Sequence, residues 1–538
     1  MKTTSNWWRG GVVYQIYPRS FADSNGDGIG DLRGAASRLD YVADLGVDAV
    51  WLSPFFKSPM KDFGYDISDY RAVDEIFGDL ADFELFVARA HSLGLKVIID
   101  QVLSHTSDQH AWFAESRRSR DNPKSDWYVW ADPKDDGSPP NNWLSLFGGG
   151  AWSWDSTREQ FYLHNFLESQ PDLNFHNGEV RDAQIDNMRF WLDLGVDGFR
   201  LDVVNFYFHS DTLEDNPAVP AGCERMNGLS PDNPYGQQLH LYDVSQPENL
   251  SYLRTVRKLL DEYPDTTSVG EISAGDALAV MAEYTAGNDK LHMAYTFDLL
   301  TEKCSADWIR QVVRNTESKI QDGWPCWALS NHDVARVVSR WGRDSDPAAF
   351  APVAIATMLS LRGSSCLYQG DELGLPEAQV PRERMQDPYG LQFWPAYSGR
   401  DGCRTPMVWE PKDKGGFSAV EGWLPVEPRH LPMSVASQLE DPASALNRIK
   451  ALIKWRKQQP ALIDGDIQLV ENTGEMLCWI RSAAEQRMLV ALNLTAETQR
   501  ASVPYAVATV HDNLGFEGSV EGGAIVLGPF QALFADLG

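Results

Sequence analysis

Four acidic residues stand in or directly after short apolar runs. Asp100 lies in KVIIDQV, Asp202 in GFRLDVV and Glu271 in TSVGEI, while Asp333 ends CWALSNHD. Carboxyl groups that meet in one pocket can do acid–base or nucleophilic chemistry. If these runs are strands whose ends converge, the four side chains would lie in one pocket.

The elements that must position these acids are eight apolar runs separated by stretches of helical periodicity. Each run is apolar almost throughout before a polar end, as expected for parallel strands buried on both faces. The segment 80–93 has the apolar stripe of an amphipathic helix. Eight strand–helix units predict an α/β fold, a (β/α)8 TIM barrel with its active site at the carboxyl ends of the strands. The runs are residues 12–18, 49–54, 96–102, 198–204, 267–272, 294–298, 326–333 and 365–372.

Uneven spacing between the runs predicts insertions. The segment after the third strand is rich in Pro, Gly, Asp and Trp, which is typical of a small loop-rich subdomain. Two polar insertions follow the fourth and eighth strands, and the last residues alternate in short strands. The predicted parts are a barrel over 1–104 and 178–465, an inserted subdomain over 105–177, insertions over 211–238 and 374–433, and a C-terminal antiparallel β-domain over 466–538.

A separate group of oxygen ligands lies in DSNGDGIGDL, just after the first run. The side chains of Asp23, Asn25, Asp27 and Asp31, with the carbonyl of Ile29, stand at alternate positions of a Gly-aided turn. This spacing suits a hard cation, although the bidentate Glu that ends an EF-hand loop is missing. We expect a structural Ca²⁺ or Mg²⁺, remote from the chemistry, and no organic cofactor.

The composition of the chain limits the kinds of partner that it is expected to bind. The 538 residues carry 47 Lys and Arg against 76 Asp and Glu, a net charge of −29 that disfavours nucleic acid and anionic membranes. The first ten residues lack the apolar core of a signal peptide, so we expect a cytoplasmic protein. The oligomeric state stays open. Six scattered cysteines without a CxxC pair are expected to be reduced: Cys223, Cys304, Cys326, Cys366, Cys403 and Cys478.

The acidic runs also resemble a known family. Taken with their flanks, they are similar to the sequence blocks of the α-amylase family of glycoside hydrolases, and two further segments resemble its α-glucosidase and oligo-1,6-glucosidase branch. The resemblance extends from Trp7 to the C-terminal β-domain. The blocks are IIDQVLSHTSD (98–108), GFRLDVVN (198–205), GEI (270–272) and SNHD (330–333), and the branch segments are SPMKDFGYDISDY (58–70) and QPDLN (170–174).

The resemblance implies a role for each acid. Asp202 would be the nucleophile, kept ionised by the positive charge of Arg200 two residues earlier. Glu271 would be the general acid and then the base, and Asp333 the carboxylate that stabilises the transition state. A retaining mechanism predicts that the carboxyl groups of Asp202 and Glu271 lie about 5–5.5 Å apart.

The resemblance also implies a sugar-binding set. His105 and His332 would donate hydrogen bonds to hydroxyls of the terminal glucose, and Tyr65 would stack on its ring. Asp62 and Arg400 would grip the non-reducing end, so that the pocket accepts only chain ends. Further candidates for aromatic walls are Phe147, Phe166 and Phe297.

The expected substrates are small α-glucosides, but the cues on linkage conflict. Val203, next to Asp202, resembles members that cleave α-1,6 bonds, whereas the long segment 223–238 resembles enzymes for maltose-like or sucrose-like sugars. We favour α-1,4 cleavage and keep oligo-1,6-glucosidase, sucrose isomerisation and glucosyl transfer as alternatives. A non-enzymatic homologue or a pure carbohydrate-binding protein is disfavoured because the acids are present and a membrane anchor is not.

Overall fold

Eight parallel strands form the centre of the computed structural model, which describes residues 6–222, 226, 229–230, 232–343 and 345–538. Each strand except the sixth pairs with the next along the chain, and the eighth pairs with the first. A parallel bridge between Ala294 and Pro325 joins the sixth and seventh, so the sheet closes. The predicted TIM barrel is confirmed. Its strands are Val12–Ile16, Ala49–Leu52, Lys96–Gln101, Gly198–Leu201, Thr267–Glu271, Met293–Tyr295, Cys326–Ala328 and Ser364–Tyr368.

Helices pack around the barrel after each strand. The predicted helix over 80–93 is Leu80–Ser92, and it begins at Asp79, whose side chain accepts from the backbone of Asp82 in a capping box. The capping box gives hydrogen-bond partners to backbone amides at the start of the helix that would otherwise lack them. The remaining barrel helices are Leu32–Ser37, Leu39–Leu45, Gly178–Asp193, Asn249–Asp261, Ala277–Thr285, Ala306–Lys319, Pro347–Ser360 and Ala445–Arg456.

Several strands stop before the apolar runs that predicted them. The fourth strand ends at Leu201 and the seventh at Ala328, whereas the runs continue to 204 and 333. The extra residues other than Asp333 are buried, so they are apolar or hydrogen-bonded without being in the sheet, and Asp333 is partly exposed. The chain leaves the barrel at these points, which places Asp202 and Asp333 above the strand ends rather than within the sheet.

The insertions carry small elements of their own. The segment after the third strand contains a helix, Ala111–Ser116, and an antiparallel sheet of Trp130–Ala131, Trp152–Asp155 and Gln160–Leu163. Elsewhere lie the ribbon Phe56–Lys57 with Asp69–Val73 and the helices Pro388–Phe393, Val435–Leu439 and Pro460–Asp464. The segment 223–238, used above as a cue for linkage, falls partly outside the described residues.

The C-terminal part is antiparallel, as expected. Five strands form one sheet in the order Asp466–Leu469, Leu477–Ala483, Gln486–Leu492, Ala532–Leu537 and Val507–Val510, and three form another from Gln499–Ser502, Ala524–Leu527 and Ser519–Glu521. The bounds of the domains stay predictions. Five cysteines are free thiols, while Cys223 lies outside the described residues. No helix in the described part of the chain is long and apolar enough to cross a membrane.

Candidate active site

A pocket opens at the carboxyl ends of the barrel strands. Strand ends form its floor, and the insertions over 105–177 and 374–433 supply walls. The three predicted catalytic carboxylates, Asp202, Glu271 and Asp333, all line it. So do seven of the eight residues of the predicted sugar-binding set: Asp62, Tyr65, His105, Phe147, Phe166, Phe297 and Arg400.

One buried guanidinium joins the acids of the pocket floor. Arg200 Nη1 lies 2.6 Å from Asp202 Oδ1, and Arg200 Nη2 lies 2.5 Å from Glu271 Oε2. The side chain of Arg200 is 1% exposed and also contacts Asp100 at 2.8 Å. Asp202 and Glu271 are therefore near neighbours, and both contact the same positively charged side chain beneath them. Their carboxyl separation of about 5–5.5 Å stays a prediction.

The pKa of Asp202 is displaced in the direction opposite to the one expected from Arg200 alone. Burial raises the pKa of Asp202 well above its ordinary value, Arg200 opposes the shift, and the negative charges of Glu271 and Asp100 add to it. A single guanidinium faces three carboxyl groups, so its charge cannot offset all of them. The floor therefore tends to retain a proton, which suits chemistry in which one of two carboxyls starts protonated.

Asp333 is held in the ionised form. Burial opposes its ionisation, but the charges of His332 in its protonated form, Arg400 and Arg404 outweigh burial, and the pKa of Asp333 lies well below its ordinary value. Arg400 Nη1 and Arg404 Nη2 lie 3.0 and 2.8 Å from Asp333 Oδ1. Burial lowers the pKa of the adjacent His332 to about 3, so the imidazole is neutral near pH 7. The two arginines thus supply the positive charge.

Asp62 and Arg400 form an ion pair in the lining of the pocket. Arg400 Nη2 lies 3.0 Å from Asp62 Oδ1 and 2.7 Å from Asp387 Oδ1, and Gln170 Nε2 donates to Asp62 Oδ2. Burial raises the pKa of Asp62 to about 6, although Arg400 and Arg404 oppose the shift. The pair forms a polar wall at which hydroxyl groups of a sugar can exchange hydrogen bonds.

The two predicted histidines occupy different positions. His105 lines the pocket and contacts Gln170 and the carbonyl of Tyr65, and burial lowers the pKa of its imidazole to about 4. His332 lies behind Tyr65, stacked on its ring at 5.4 Å between centroids, and is fully buried. His332 and Arg200 are absent from the lining of the described pocket, so both act on it through Tyr65, Asp202 and other neighbours.

Aromatic side chains form the upper walls. Phe147 and Phe166 lie 6.0 Å apart between centroids, and Phe147 also contacts Tyr389 at 5.4 Å. Tyr389 comes from the insertion after the eighth strand and was missed by sequence reasoning, as was Tyr397. Other functional neighbours that were missed are Gln170, Tyr295, Asp387 and Arg404. Arg404 could have been found, because it follows the predicted Arg400 by four residues in GRDGCR.

The Asp-rich loop is organised by its own backbone. Asp23 Oδ1 accepts from the amides of Asn25 and Gly26, and Asp27 Oδ1 accepts from that of Ile29. Asp31 caps the following helix. Among the described residues, no cluster of three or more His, Cys, Asp or Glu is arranged to hold a metal, so the expected site, which also uses an amide and a carbonyl oxygen, stays a prediction.

The barrel and its carboxylates define the class of protein, a glycoside hydrolase. The family described as alpha amylase, catalytic domain, matches residues 15–465, most of the chain. The protein therefore belongs to the α-amylase family, as its sequence blocks predict.

Individual members of the family are similar to this chain over nearly its whole length. The chain is 51% identical to a probable alpha-glucosidase of Rhizobium meliloti (strain 1021), over 99% of this chain and 97% of that protein. It is 39% identical to an oligo-1,6-glucosidase of Heyndrickxia coagulans, over 92% and 93%. The crystal structure of the alpha-glucosyl transfer enzyme XgtA matches with a TM-score of 0.97 at 55% identity, covering 100% of both chains.

Proposed function

We propose that this protein is a retaining, exo-acting α-glucosidase that releases the terminal glucose of disaccharides and short oligosaccharides. The observation that supports the proposal best is the contact of one guanidinium, Arg200, with both Asp202 and Glu271 in the pocket floor. A separation of about 5–5.5 Å between these carboxyls would leave little room for a water between nucleophile and sugar, and would favour direct attack by a carboxylate.

The reaction would proceed in two displacements. Asp202 attacks the anomeric carbon while Glu271 gives its proton to the glycosidic oxygen, so the C–O bond breaks and a covalent glucosyl-enzyme forms. Glu271, now ionised, takes a proton from water, which attacks the same carbon and frees Asp202. Asp333, kept negative by Arg400 and Arg404, stabilises the positive charge that develops on the sugar in both steps.

Exo action would follow from the closed end of the pocket. Asp62 and Arg400 form a buried ion pair whose side chains are 5% and 11% exposed, and Asp387 supports the arginine from behind. If the non-reducing end of the sugar binds against this pair, the pair would leave no room for a further sugar residue on that side. The pocket thus favours chain ends, and the wall can hydrogen-bond the last hydroxyls.

We favour α-1,4 over α-1,6 linkages. The relatives include both an α-glucosidase and an oligo-1,6-glucosidase, and the former is the more similar in sequence. The test compares initial glucose release from maltose and isomaltose at equal concentration, with Glu271→Gln as the blank. Faster release from maltose supports the α-1,4 assignment, and faster release from isomaltose contradicts it.

Retention needs its own measurement. Proton NMR of the first glucose released should detect the α-anomer before mutarotation, whereas initial β-glucose would exclude the double displacement. Glucosyl transfer is the second candidate function, supported by the similarity to the alpha-glucosyl transfer enzyme. The same glucosyl-enzyme can meet a sugar hydroxyl instead of water, so the ratio of oligosaccharide to free glucose at high maltose measures the partition.

We also propose a structural cation in the Asp-rich loop. Asp23, Asn25, Asp27 and Asp31 offer oxygen atoms only, together with the Ile29 carbonyl, and such donors suit Ca²⁺ or Mg²⁺. The cation would fix the loop and take no part in the reaction. A lower melting temperature after chelation, restored by Ca²⁺ or Mg²⁺, would support this proposal, and an unchanged melting temperature would contradict it.

A further inference from the structure

Tyr295 lies beside the proposed general acid without reaching the pocket. It ends the sixth barrel strand, directly opposite Glu271 in the register of the fifth and sixth strands. Its side chain is buried, with the residue 2% exposed, and it is absent from the lining of the described pocket. Tyr295 therefore acts on bound sugar only through its neighbours.

The two oxygens of Glu271 have different surroundings. Oε2 lies 2.5 Å from Arg200 Nη2 and accepts a hydrogen bond from the amide of Val203 at 3.1 Å. Oε1 accepts a hydrogen bond from the hydroxyl of Tyr295 at 3.1 Å. Two donors, one of them charged, make Oε2 a poor place for a proton, since a protonated oxygen would face them with its own hydrogen.

The hydroxyl proton of Tyr295 is committed to Glu271. Arg200 donates to the Tyr295 oxygen from Nη2 at 2.9 Å and from Nε at 3.2 Å. A guanidinium has no acceptor, so the hydroxyl must accept from Arg200 and can donate only elsewhere. The single proton of the hydroxyl therefore points to Oε1, and this direction cannot reverse while Arg200 is in place.

The Val203 amide donates to Oε2 of Glu271, and the backbone of Val203 has an uncommon conformation. Val203 has φ of +34°, in a region that β-branched residues rarely adopt. Its side chain is buried in an apolar cluster with Phe166 and Phe206, which keeps the backbone there despite the strain. The donors to both oxygens of Glu271 are thus fixed by packing.

We propose that Tyr295 is a positioning residue that makes Oε1 the oxygen of Glu271 that delivers the proton. This inference rests on the proposed role of Glu271 as general acid. When the proton passes from Oε1 to the leaving oxygen and the C–O bond breaks, negative charge appears on Oε1. The hydrogen bond from Tyr295 strengthens at that moment, so it stabilises the transition state more than the ground state.

The test compares donors whose leaving groups differ in their need for a proton. Tyr295→Phe removes only the hydroxyl. We expect kcat/KM to fall roughly 10- to 100-fold for maltose and methyl α-glucoside, as for loss of a hydrogen bond to a charged group. For α-glucosyl fluoride, whose leaving group needs little protonation, the fall should be less than about threefold. A buried residue with a purely structural role would lower all donors alike.

Tyr207→Phe is the matched control, because that hydroxyl is buried and has no hydrogen-bond partner among the described residues. It should leave kcat/KM for every donor unchanged. If Tyr295→Phe melts far below the wild type, 3-fluorotyrosine at position 295 keeps the hydroxyl and alters its strength. The ratio of kcat/KM for maltose to that for the fluoride should then change, and an unchanged ratio would overturn the inference.

Glu271→Gln separates this inference from the proposed function. It should abolish cleavage of maltose while sparing attack on α-glucosyl fluoride. If it lowers both donors equally, Glu271 is not the general acid and the proposed function fails. If Glu271→Gln discriminates between donors but Tyr295→Phe lowers them equally or not at all, the role of Tyr295 alone is overturned.

Discussion

Arg404 Nη2 lies 2.8 Å from Asp333 Oδ1, and the same guanidinium donates through Nε to the carbonyl of His332 at 2.6 Å. Arg404 is 1% exposed and absent from the lining of the described pocket. It therefore fixes both the charge and the direction of Asp333 from behind. Since His332 is neutral near pH 7, Asp333 depends on Arg404 and Arg400 to remain ionised in a buried site.

Removal of Arg404 should weaken the support that Asp333 gives to the transition state. In Arg404→Met the pKa of Asp333 rises, but it starts well below its ordinary value and Arg400 remains, so Asp333 stays ionised at neutral pH. The carboxylate loses one charged hydrogen bond that fixes its direction, so we expect kcat for maltose to fall roughly 10-fold or more while the acidic limb of kcat/KM stays in place. Arg404→Lys, which keeps a charge, should lower kcat less. Wild-type kcat in Arg404→Met would show that Arg404 does not support Asp333.

Asp62 should make substrate binding sensitive to pH. Burial raises its pKa to about 6 in the free enzyme, so Asp62 takes up a proton as the pH falls from 7 to 5 and loses its charge opposite Arg400. We expect the KM for maltose to rise over this range. In Asp62→Asn, KM should be high throughout and almost independent of pH. A KM that still varied with pH as in the wild type would assign the titration to another group.

Most of this site can be predicted from the sequence, because the apolar runs mark the strands that carry the site residues. Asp202, Glu271 and Asp333 follow apolar runs that become neighbouring strands, and parallel strands bring their carboxyl ends to one face. The runs overestimated strand length, since residues such as Val204 are buried without belonging to the sheet. Burial alone produces the same apolar pattern as a strand.

Contacts made by the insertions were harder to predict. Tyr389 and Asp387 come from a segment without periodicity, and their partners Phe147 and Arg400 lie far away or across a turn. The direction of the Asp202 pKa was also mistaken, because a sequence displays adjacent charges but not the desolvation that opposes them. Tertiary packing decides both the contacts of the insertions and the direction of the Asp202 pKa shift.

Val203 offers a direct test of the linkage assignment. Its side chain lines the pocket and belongs to one apolar cluster with Phe147 and Phe166, so replacement by the nearly isosteric Thr changes polarity with little change in volume. We expect Val203→Thr to change the ratio of kcat/KM for maltose and isomaltose by less than about tenfold, the lower range for a small change in a pocket. A reversal of preference would make Val203 the main determinant of linkage.

The Asp-rich loop should support the pocket mechanically. Gly28 has φ of +90° and lies against the insertion after the eighth strand, where an added Cβ would come within 2.3 Å of the Glu421 carbonyl oxygen. The Trp423 amide donates to the Gly28 carbonyl at 2.9 Å. The same insertion carries Arg400, so displacement of the loop should reach the closed end of the pocket.

A pair of substitutions isolates this contact. Gly26 has φ of +82° but open space around an added Cβ, so Gly26→Ala measures the backbone cost alone, roughly 1–2 kcal/mol. Gly28→Ala adds the clash with Glu421. We expect it to lower the melting temperature several degrees more than Gly26→Ala, and to lower kcat/KM for maltose while Gly26→Ala does not. Equal effects of the two substitutions would mean that the loop and the pocket are mechanically independent.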